Sequence, residues 1–259
     1  MMEVTVLASG SSGNALFVRC EDAVVMIDAG LSARRIQTLL MECDVPVEKL
    51  TGILLTHEHG DHTRGLKALA TKNRIPVFAT PLTAESLRRS GVVAEWNLFS
   101  SGATFPLGGL DIHAFSVPHD AADPVGFVVR REGRGFAVLT DLGHATRQVI
   151  EAVRGVNGLL IETNHDETLL QQDVRRPWSV KQRILSRHGH LSNAAAAAIV
   201  EQVATESLRH IVLGHLSRDC NTPELALGAI GQKLARDSSV HVQCAPPDEG
   251  GSVIRFSIS

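Results

Sequence analysis

The chain has 259 residues, 44% of them hydrophobic and 20% charged, with a formal charge of −3 and a pI near 6.5. This composition supplies a sizeable core and excludes wholesale disorder, and no apolar run approaches the roughly 20 residues that a bilayer span requires. The negative charge gives no global attraction to nucleic acid, and with no tyrosine and 4% aromatics a broad base-stacking platform is poorly supplied.

The first ten residues, MMEVTVLASG, carry no basic stretch and alternate like a strand, so a cytoplasmic location is expected. The runs EVTVLAS and NALFVRC flank a small-residue loop, Gly10 to Gly13, and AVVMIDAG follows at once. This predicts a three-strand meander ending at Asp28. Ser32 is a candidate cap for a helix through ARRIQTLLMEC, and GILLT then reads as a short buried strand. The cluster His57 to His62 therefore falls on the loop past a strand's C-terminal end, where layered α/β folds gather ligands.

The pattern then repeats, with helix TRGLKALATKN, strand PVFAT, helix TAESLRRSG and strands LFS, ATFPL, LDIHAFSV, VGFVVRR and GFAVLTD. Beyond Asp141 come helix TRQVIEAVRG, strand GLLIET, a helical stretch from about Trp178 to His188 and an alanine-rich helix from Ser192. The strand HIVLGH, the helix PELALGAIGQKLA and the strands VHVQC and SVIRFSIS complete the chain. Two batches of strands, each with its own helices, predict two sheets packed face to face with helices outside, an αββα sandwich. No linker or low-complexity tract divides it, so one domain over residues 1–259 is expected. The four cysteines, Cys20, Cys43, Cys220 and Cys244, form no C-x-x-C pair and read as reduced thiols.

The histidines carry the chemical information. The stretch LLTHEHGDHTRG puts three histidines and two acids into six positions, His57 to His62. Asp28, His119, Asp141 and His215 likewise each follow a strand, so strand ends on one edge of a sandwich can bring them together. Mixed imidazole and carboxylate donors suit borderline divalent cations, and two adjacent ions need about this many. Of the interleaved residues, Glu58 is expected to point away from the ions and Gly60 to leave room for the turn.

THEHGDH resembles the H-x-H-x-D-H signature of the metallo-β-lactamase fold superfamily. The resemblance extends through MIDAG, VPH, TDLGH and LGHLSRDCN over nearly the whole chain. LASGSSGN, ETNHD and GHLSN look most like the bacterial YycJ/WalJ-type branch, related to ribonuclease Z and ribonuclease J and associated with 5′-to-3′ exonuclease activity on DNA. The resemblance implies two divalent ions (zinc, manganese or iron), with His57, His59 and His119 on the first, Asp61, His62 and His215 on the second, and Asp141 bridging. It implies a hydroxide between the ions as nucleophile, with Asp61 part of the catalytic apparatus, and Asp28 orienting a ligand histidine. His190, in HGHLSN, matches a histidine that helps the leaving group or binds phosphate, although it also reads as a residue ahead of a helix cap. His144 either points into the site or opens the next helix, and Asn164 and His165 either contact substrate or line the cleft.

An acid at 141 departs from the cysteine of zinc β-lactamases, and His59 departs from the glutamate of flavodiiron proteins. Hydrolysis is thus favoured over redox chemistry. The expected function is a metal-dependent phosphodiesterase acting on nucleic acid, DNA before RNA, since no β-CASP insertion or tRNA-gripping arm is evident. The alternatives are a small-molecule hydrolase of a cyclic phosphodiester or thioester, and a non-catalytic binding module; retention of all seven ligand positions disfavours the latter. Oligomeric state is left open.

Overall fold

The computed structural model describes residues 1–234, 239–246 and 253–258. The first sheet contains β1 (Met2–Ala8), β2 (Ala15–Arg19), β3 (Val24–Ile27), β4 (Gly52–Leu54), β5 (Val77–Ala79) and β6 (Trp96–Leu98). The second contains β7 (Thr104–Leu107), β8 (Leu110–Ser116), β9 (Val125–Arg131), β10 (Arg134–Leu139), β11 (Gly158–Glu162), β12 (His210–Gly214) and β13 (His241–Cys244). The last strand, β14 (Ile254–Ile258), returns to pair with β1, giving the orders β14-β1-β2-β3-β4-β5-β6 and β13-β12-β11-β10-β9-β8-β7.

Each sheet joins an antiparallel meander to a parallel run. β1 to β3 pair antiparallel and β3 to β6 parallel; β7 to β10 pair antiparallel and β10 to β13 parallel. Parallel strands need crossover connections. In the first sheet these carry α1 (Ala33–Glu42), α2 (Gly60–Thr63), α3 (Leu66–Asn73) and α4 (Pro81–Arg89). In the second they carry α5 (Arg147–Val153), α6 (Glu167–Gln172), α7 (Trp178–Ile184), α8 (Asn193–Val203) and α9 (Pro223–Gly231).

Strand alternation separates the apolar side chains into three layers of core. On β3, Val25 and Ile27 face the second sheet and meet Phe127, Phe136 and Val138, while Val24 and Met26 face Ile36, Leu40 and Leu69 of α1 and α3. On the far side, Leu139, Ile161 and Leu213 pack under α5 and α8 through Val149, Ala197 and Val200. Three cores separate four layers, the expected αββα sandwich. No helix among the described residues is long and apolar enough to cross a membrane.

Several element boundaries differ from expectation. The helix through TRGLKALATKN breaks at Gly65, where a Cβ would stand 2.4 Å from the Leu31 carbonyl oxygen. The strand expected at LFS lies earlier, at Trp96–Leu98. The helix expected to reach His188 ends at Ile184, and the chain then folds back so closely that a Cβ at Gly189 would be 2.2 Å from the Arg183 and Ile184 carbonyl oxygens. Helix α6 was not expected, although Asp166 caps it by accepting from Leu169 N. Ala235, Ser252 and Ser259, expected in the terminal elements, lie outside the described residues.

All four cysteines are free, with Cys20, Cys43 and Cys220 buried and Cys244 half-buried. Burial and the nearby Glu224 push the Cys244 thiol up to about 11. At pH 8 roughly one thiol in a thousand there is thiolate, so Cys244 is expected to alkylate slowly despite its partial exposure. Iodoacetamide labelling of the native protein checks this, against four rapidly reacting thiols after denaturation; fast native labelling at Cys244 would contradict it.

Candidate metal centre

The parallel runs bring the strand ends together. β3, β4, β10, β11 and β12 all finish on one edge of the sandwich, and the residues at or just beyond their ends are Asp28, His57, Asp141, Glu162 and His215. Three of these turn the chain through left-handed backbone, with φ of 59° at Asp28, 56° at Asp141 and 54° at His215. Such conformations cost energy in non-glycine residues and persist where surrounding contacts hold them. Here the chain must leave the strand sharply while the side chain stays over the edge. His59 precedes α2 in extended backbone, and Asp61 and His62 lie on that single turn.

The donor atoms fall into three overlapping groups, each within 4.8 Å: His57, His59 and His119; His57, His62 and Asp141; and Asp141, Glu162, His190 and His215. Asp141 links them. Its Oδ2 is 3.1 Å from His62 Nε2, and its Oδ1 is 3.0 Å from His215 Nδ1 and 3.9 Å from His119 Nε2. Asp61 Oδ2 lies between the second and third groups, 3.6 Å from His62 Nε2 and 3.5 Å from His215 Nε2. His62 and His215, expected with Asp61 and with Asp141 bridging, thus lie within 3.6 Å of the Asp61 and Asp141 oxygens, with further residues beside them. His57 also approaches the second group, and Glu162 and His190 join the third.

The hydrogen bonds favour a cation at this edge. Asp28 Oδ2 accepts from His62 Nδ1 at 2.7 Å and from Thr56 Oγ1 at 2.8 Å, while Oδ1 accepts from Thr56 N at 2.9 Å. With Nδ1 donating to Asp28, His62 turns Nε2 to the Asp141 carboxylate 3.1 Å away, a contact that needs positive charge, supplied by a proton on Nε2 or by a cation held between the two. His57 Nε2 is buried without a hydrogen-bond partner among the described residues, while its Nδ1 faces Thr56 Oγ1 at 3.1 Å. An orphaned ring nitrogen beside other imidazoles suits a borderline divalent ion.

Protonation equilibria agree. Burial, with His62 close by, holds His57 well below the ordinary imidazole range, and burial lowers His119, so both rings stay neutral and able to ligate. Burial opposes charge on His62 and His215, but Asp28 and Asp141 raise the first and Asp141 the second well above that range. Burial likewise opposes ionisation of Asp141, yet His215 and His62 keep it well below the usual carboxylate range. The acid-rich side of the site therefore attracts positive charge, and the imidazole-rich side offers lone pairs.

Glu162 is the residue that the sequence reading missed. It is fully buried at the end of the all-apolar strand β11, the same placement that singled out Asp28 and Asp141. Its Oε1 accepts from His190 Nδ1 at 2.6 Å and lies 3.2 Å from His215 Nδ1, and its Oε2 accepts from Leu142 N and Leu191 N. Burial opposes its charge, but His190 brings its carboxyl down to about 2, and Glu162 in turn raises His190 against the effect of burial. Asn14, the first residue of the run NALFVRC, also reaches the site. Its buried side chain accepts from Ser9 Oγ and Gly10 N and sets Nδ2 3.0 Å from His62 Nε2, while its backbone N–H donates to the Asp61 carbonyl.

Other candidates take supporting positions. His144 does not point into the site: its ring accepts and donates through Arg187, with Nδ1 3.0 Å from the carbonyl oxygen and Nε2 3.1 Å from Nη2, pinning the turn before His190. Asn164 is buried and donates to the His215 carbonyl at 3.0 Å, so it holds a strand end rather than facing a cleft. His165 is 1% exposed with both ring nitrogens unpaired among the described residues. Glu58 turns away from the donors and accepts from Ala122 N at 2.8 Å. Gly60 is open on all sides; the crowded glycine is Gly30, where a Cβ would stand 1.6 Å from the Asp61 carbonyl oxygen.

Two outcomes follow from these contacts. Asp28→Ala removes the carboxylate that orients His62 and is expected to lower affinity for divalent metal about 10- to 100-fold, measured by calorimetry or competition with a chelating dye. Gly30→Ala forces the α2 turn away from β3 and is expected to cost on the order of 3 kcal/mol or more, read from denaturant unfolding. An unchanged midpoint would show that the turn has room to move.

Comparison with known proteins agrees with this edge-of-sandwich geometry. The model of the beta-lactamase superfamily domain matches residues 24–215. The chain is 37% identical over 236 residues to exodeoxyribonuclease YycJ of Bacillus anthracis, covering 90% of this chain and 89% of that protein. It is 36% identical over 237 residues to exodeoxyribonuclease WalJ of Streptococcus pneumoniae, covering 90% and 88%. Among solved structures, the metallo-beta-lactamase fold protein YhfI of Bacillus subtilis superposes with a TM-score of 0.76 at 17% identity, over 98% of this chain and 99% of that one. Human short-form tRNase Z superposes at 0.67 and 18%, over 99% of both chains, and shares the fold. The chain belongs to the beta-lactamase superfamily and, within it, to the family of the YycJ/WalJ exodeoxyribonucleases.

Proposed function

We propose that this protein is a dinuclear metal-dependent phosphodiesterase that removes nucleotides from the 5′ end of DNA, working in the cytoplasm as one domain. The observation that carries the reading is the position of Asp141, whose two oxygens reach His62 at 3.1 Å, His215 at 3.0 Å and His119 at 3.9 Å. A carboxylate shared in this way suits a pair of ions better than one. Similarity over 90% of the chain to two exodeoxyribonucleases supports DNA as the substrate.

In this reading His57, His59 and His119 hold one ion, Asp61, His62 and His215 the other, and Asp141 both; zinc, manganese and iron all fit the donors. Two such ions, when bound, lower the pKa of water toward neutrality and offset charge growing on phosphoryl oxygens. The chain's own residues supply the rest. Asp28 fixes the His62 tautomer, and Asn14 and Gly30 hold the Asp61 backbone, so the donors need little rearrangement. Glu162 takes the Nδ1 proton of His190 into a 2.6 Å hydrogen bond, which leaves Nε2 to act on substrate. An imidazole so paired keeps its proton above the ordinary range and can donate it to the leaving oxygen or to a phosphoryl oxygen.

The decisive assay supplies the metal-loaded protein with 5′-phosphorylated single- and double-stranded DNA and with bis-p-nitrophenyl phosphate. Hydrolysis of both is expected, with Asp61→Ala reducing each by about a hundredfold or more. Cleavage of the ester with DNA left intact would favour a small-molecule phosphodiesterase; cleavage of neither would end the proposal. The pH profile tests the His190 pairing. Activity that needs the imidazolium is present at lower pH and lost as pH rises through the raised pKa, so Glu162→Gln is expected to move the alkaline limb to lower pH.

A further inference from the structure

Two arginines meet over the loop that joins β1 to β2. Arg64 lies two residues past His62, and its Nη1 donates to the Ser12 carbonyl at 2.8 Å. Arg218 lies three residues past His215, and its Nη2 donates to Ser12 Oγ at 2.6 Å. Each guanidinium thus leaves a loop that carries donors of the metal centre, one from each sheet, and both reach the same serine. Ser12 is itself tied to the centre, because two residues on Asn14 N donates to the Asp61 carbonyl at 2.8 Å. With consecutive Cα atoms 3.8 Å apart, Ser12 stands within about 8 Å of Asn14.

The charge on this side is not neutralised within the molecule. Residues 29–41 and 62–84 contain Arg34, Arg35, Arg64, Lys67, Lys72 and Arg74 and no acid, in a chain whose net charge is −3. All but Arg35 are exposed. None of the six has a carboxylate within 4.0 Å among the described residues, whereas Arg19, Arg131 and Arg183 each face one. The two segments touch: Gly65 N donates to the Ala29 carbonyl at 2.8 Å, and a Cβ on Gly65 would stand 3.0 Å from Ala33 N. Arg34 and Arg35 occupy the first turn of α1, which holds no acid. Cations there oppose the helix dipole, so helix stability does not account for them.

Uncompensated cations on an otherwise acidic molecule fit a polyanion, and a lone terminal phosphate would occupy one or two of them. Six leading off over α1 and α3 match a strand that carries a phosphate at every nucleotide. We propose that Arg64, with Ser12 and Arg218, holds the backbone phosphate next to the scissile one, and that Arg34, Arg35 and Lys67 guide the strand retained after each cut. This rests on the nuclease reading above. Ser12 takes one of the five N–H donors of Arg64 and thereby directs the others. Contacts of this kind register charge and spacing rather than base identity, as degradation of any sequence requires.

The test compares a long 5′-phosphorylated single strand with bis-p-nitrophenyl phosphate, whose one phosphate is the one hydrolysed, on the metal-loaded protein. Arg64→Ala is expected to lower kcat/KM for the strand about tenfold more than for the ester, and Arg64→Lys to recover part of that difference. The slope of log KM for the strand against log salt is expected to fall by about one in Arg64→Ala. Arg34→Ala, outside the donor loops, is expected to raise KM for the long strand more than for a dinucleotide. Unfolding midpoints verify the fold of each variant. Equal losses on strand and ester, or an unaltered salt slope, overturn the proposal while the nuclease reading stands. A loss confined to 5′-phosphorylated strands, with 5′-hydroxyl strands cut at the parental rate, overturns it in favour of a site for the terminal phosphate. If the parent hydrolyses the ester and leaves DNA intact, both readings fall together.

Discussion

A carboxylate buried at 2% exposure must be paired, because an isolated charge in that environment costs several kcal/mol even after relaxation. Asp141 meets this constraint by accepting from Thr140 Oγ1 at 2.7 Å and by collecting imidazoles from both sheets: His62 from the end of the first, His215 and His119 from the second. The edge of the sandwich is consequently held together by ionic groups rather than by the apolar packing that fills its three cores. Each partner is in turn secured, His62 by Asp28, His215 by Glu162, and Asp61 by the backbone of Asn14. Without metal, protons on His62 and His215 supply the balancing charge, and the same clustered donors fit a divalent ion that would take their place.

The fold makes the convergence possible through strand direction. Antiparallel strands alternate their ends between the two edges of a sheet, whereas the parallel runs β3 to β6 and β10 to β13 deliver successive C-terminal ends to the same edge. The left-handed backbone at Asp28, Asp141 and His215 is the local consequence, since each chain must turn off its strand at once to leave the side chain over the edge. Strain of this kind is tolerated where hydrogen bonds over-determine the geometry, and at Asp28 three of them do.

Much of this was legible in the chain. Alternation and short apolar runs gave the strands, and the acids and histidines placed just after them marked the edge, because an ionisable residue ending a buried strand has few other places to go. Glu162 obeys the same rule and was overlooked beside the more conspicuous Asn164 and His165. His144, which the sequence leaves open between the site and the next helix, lies three residues past Asp141, where its ring meets Arg187 instead. Gly60 drew attention by lying inside the histidine cluster, although the position with no space for a side chain is Gly30, distant in sequence and pressed against Asp61.

The sequence by itself determined the layered fold, the donor types and the edge on which they gather, because period-two burial and strand-end placement are local properties of the chain. Only the tertiary structure decided which donors share an ion-sized space, that Glu162 governs His190, and that Arg64 and Arg218 meet at Ser12. Those outcomes depend on distances between segments far apart along the chain, set by how the two sheets and their crossovers pack, and no local periodicity encodes them.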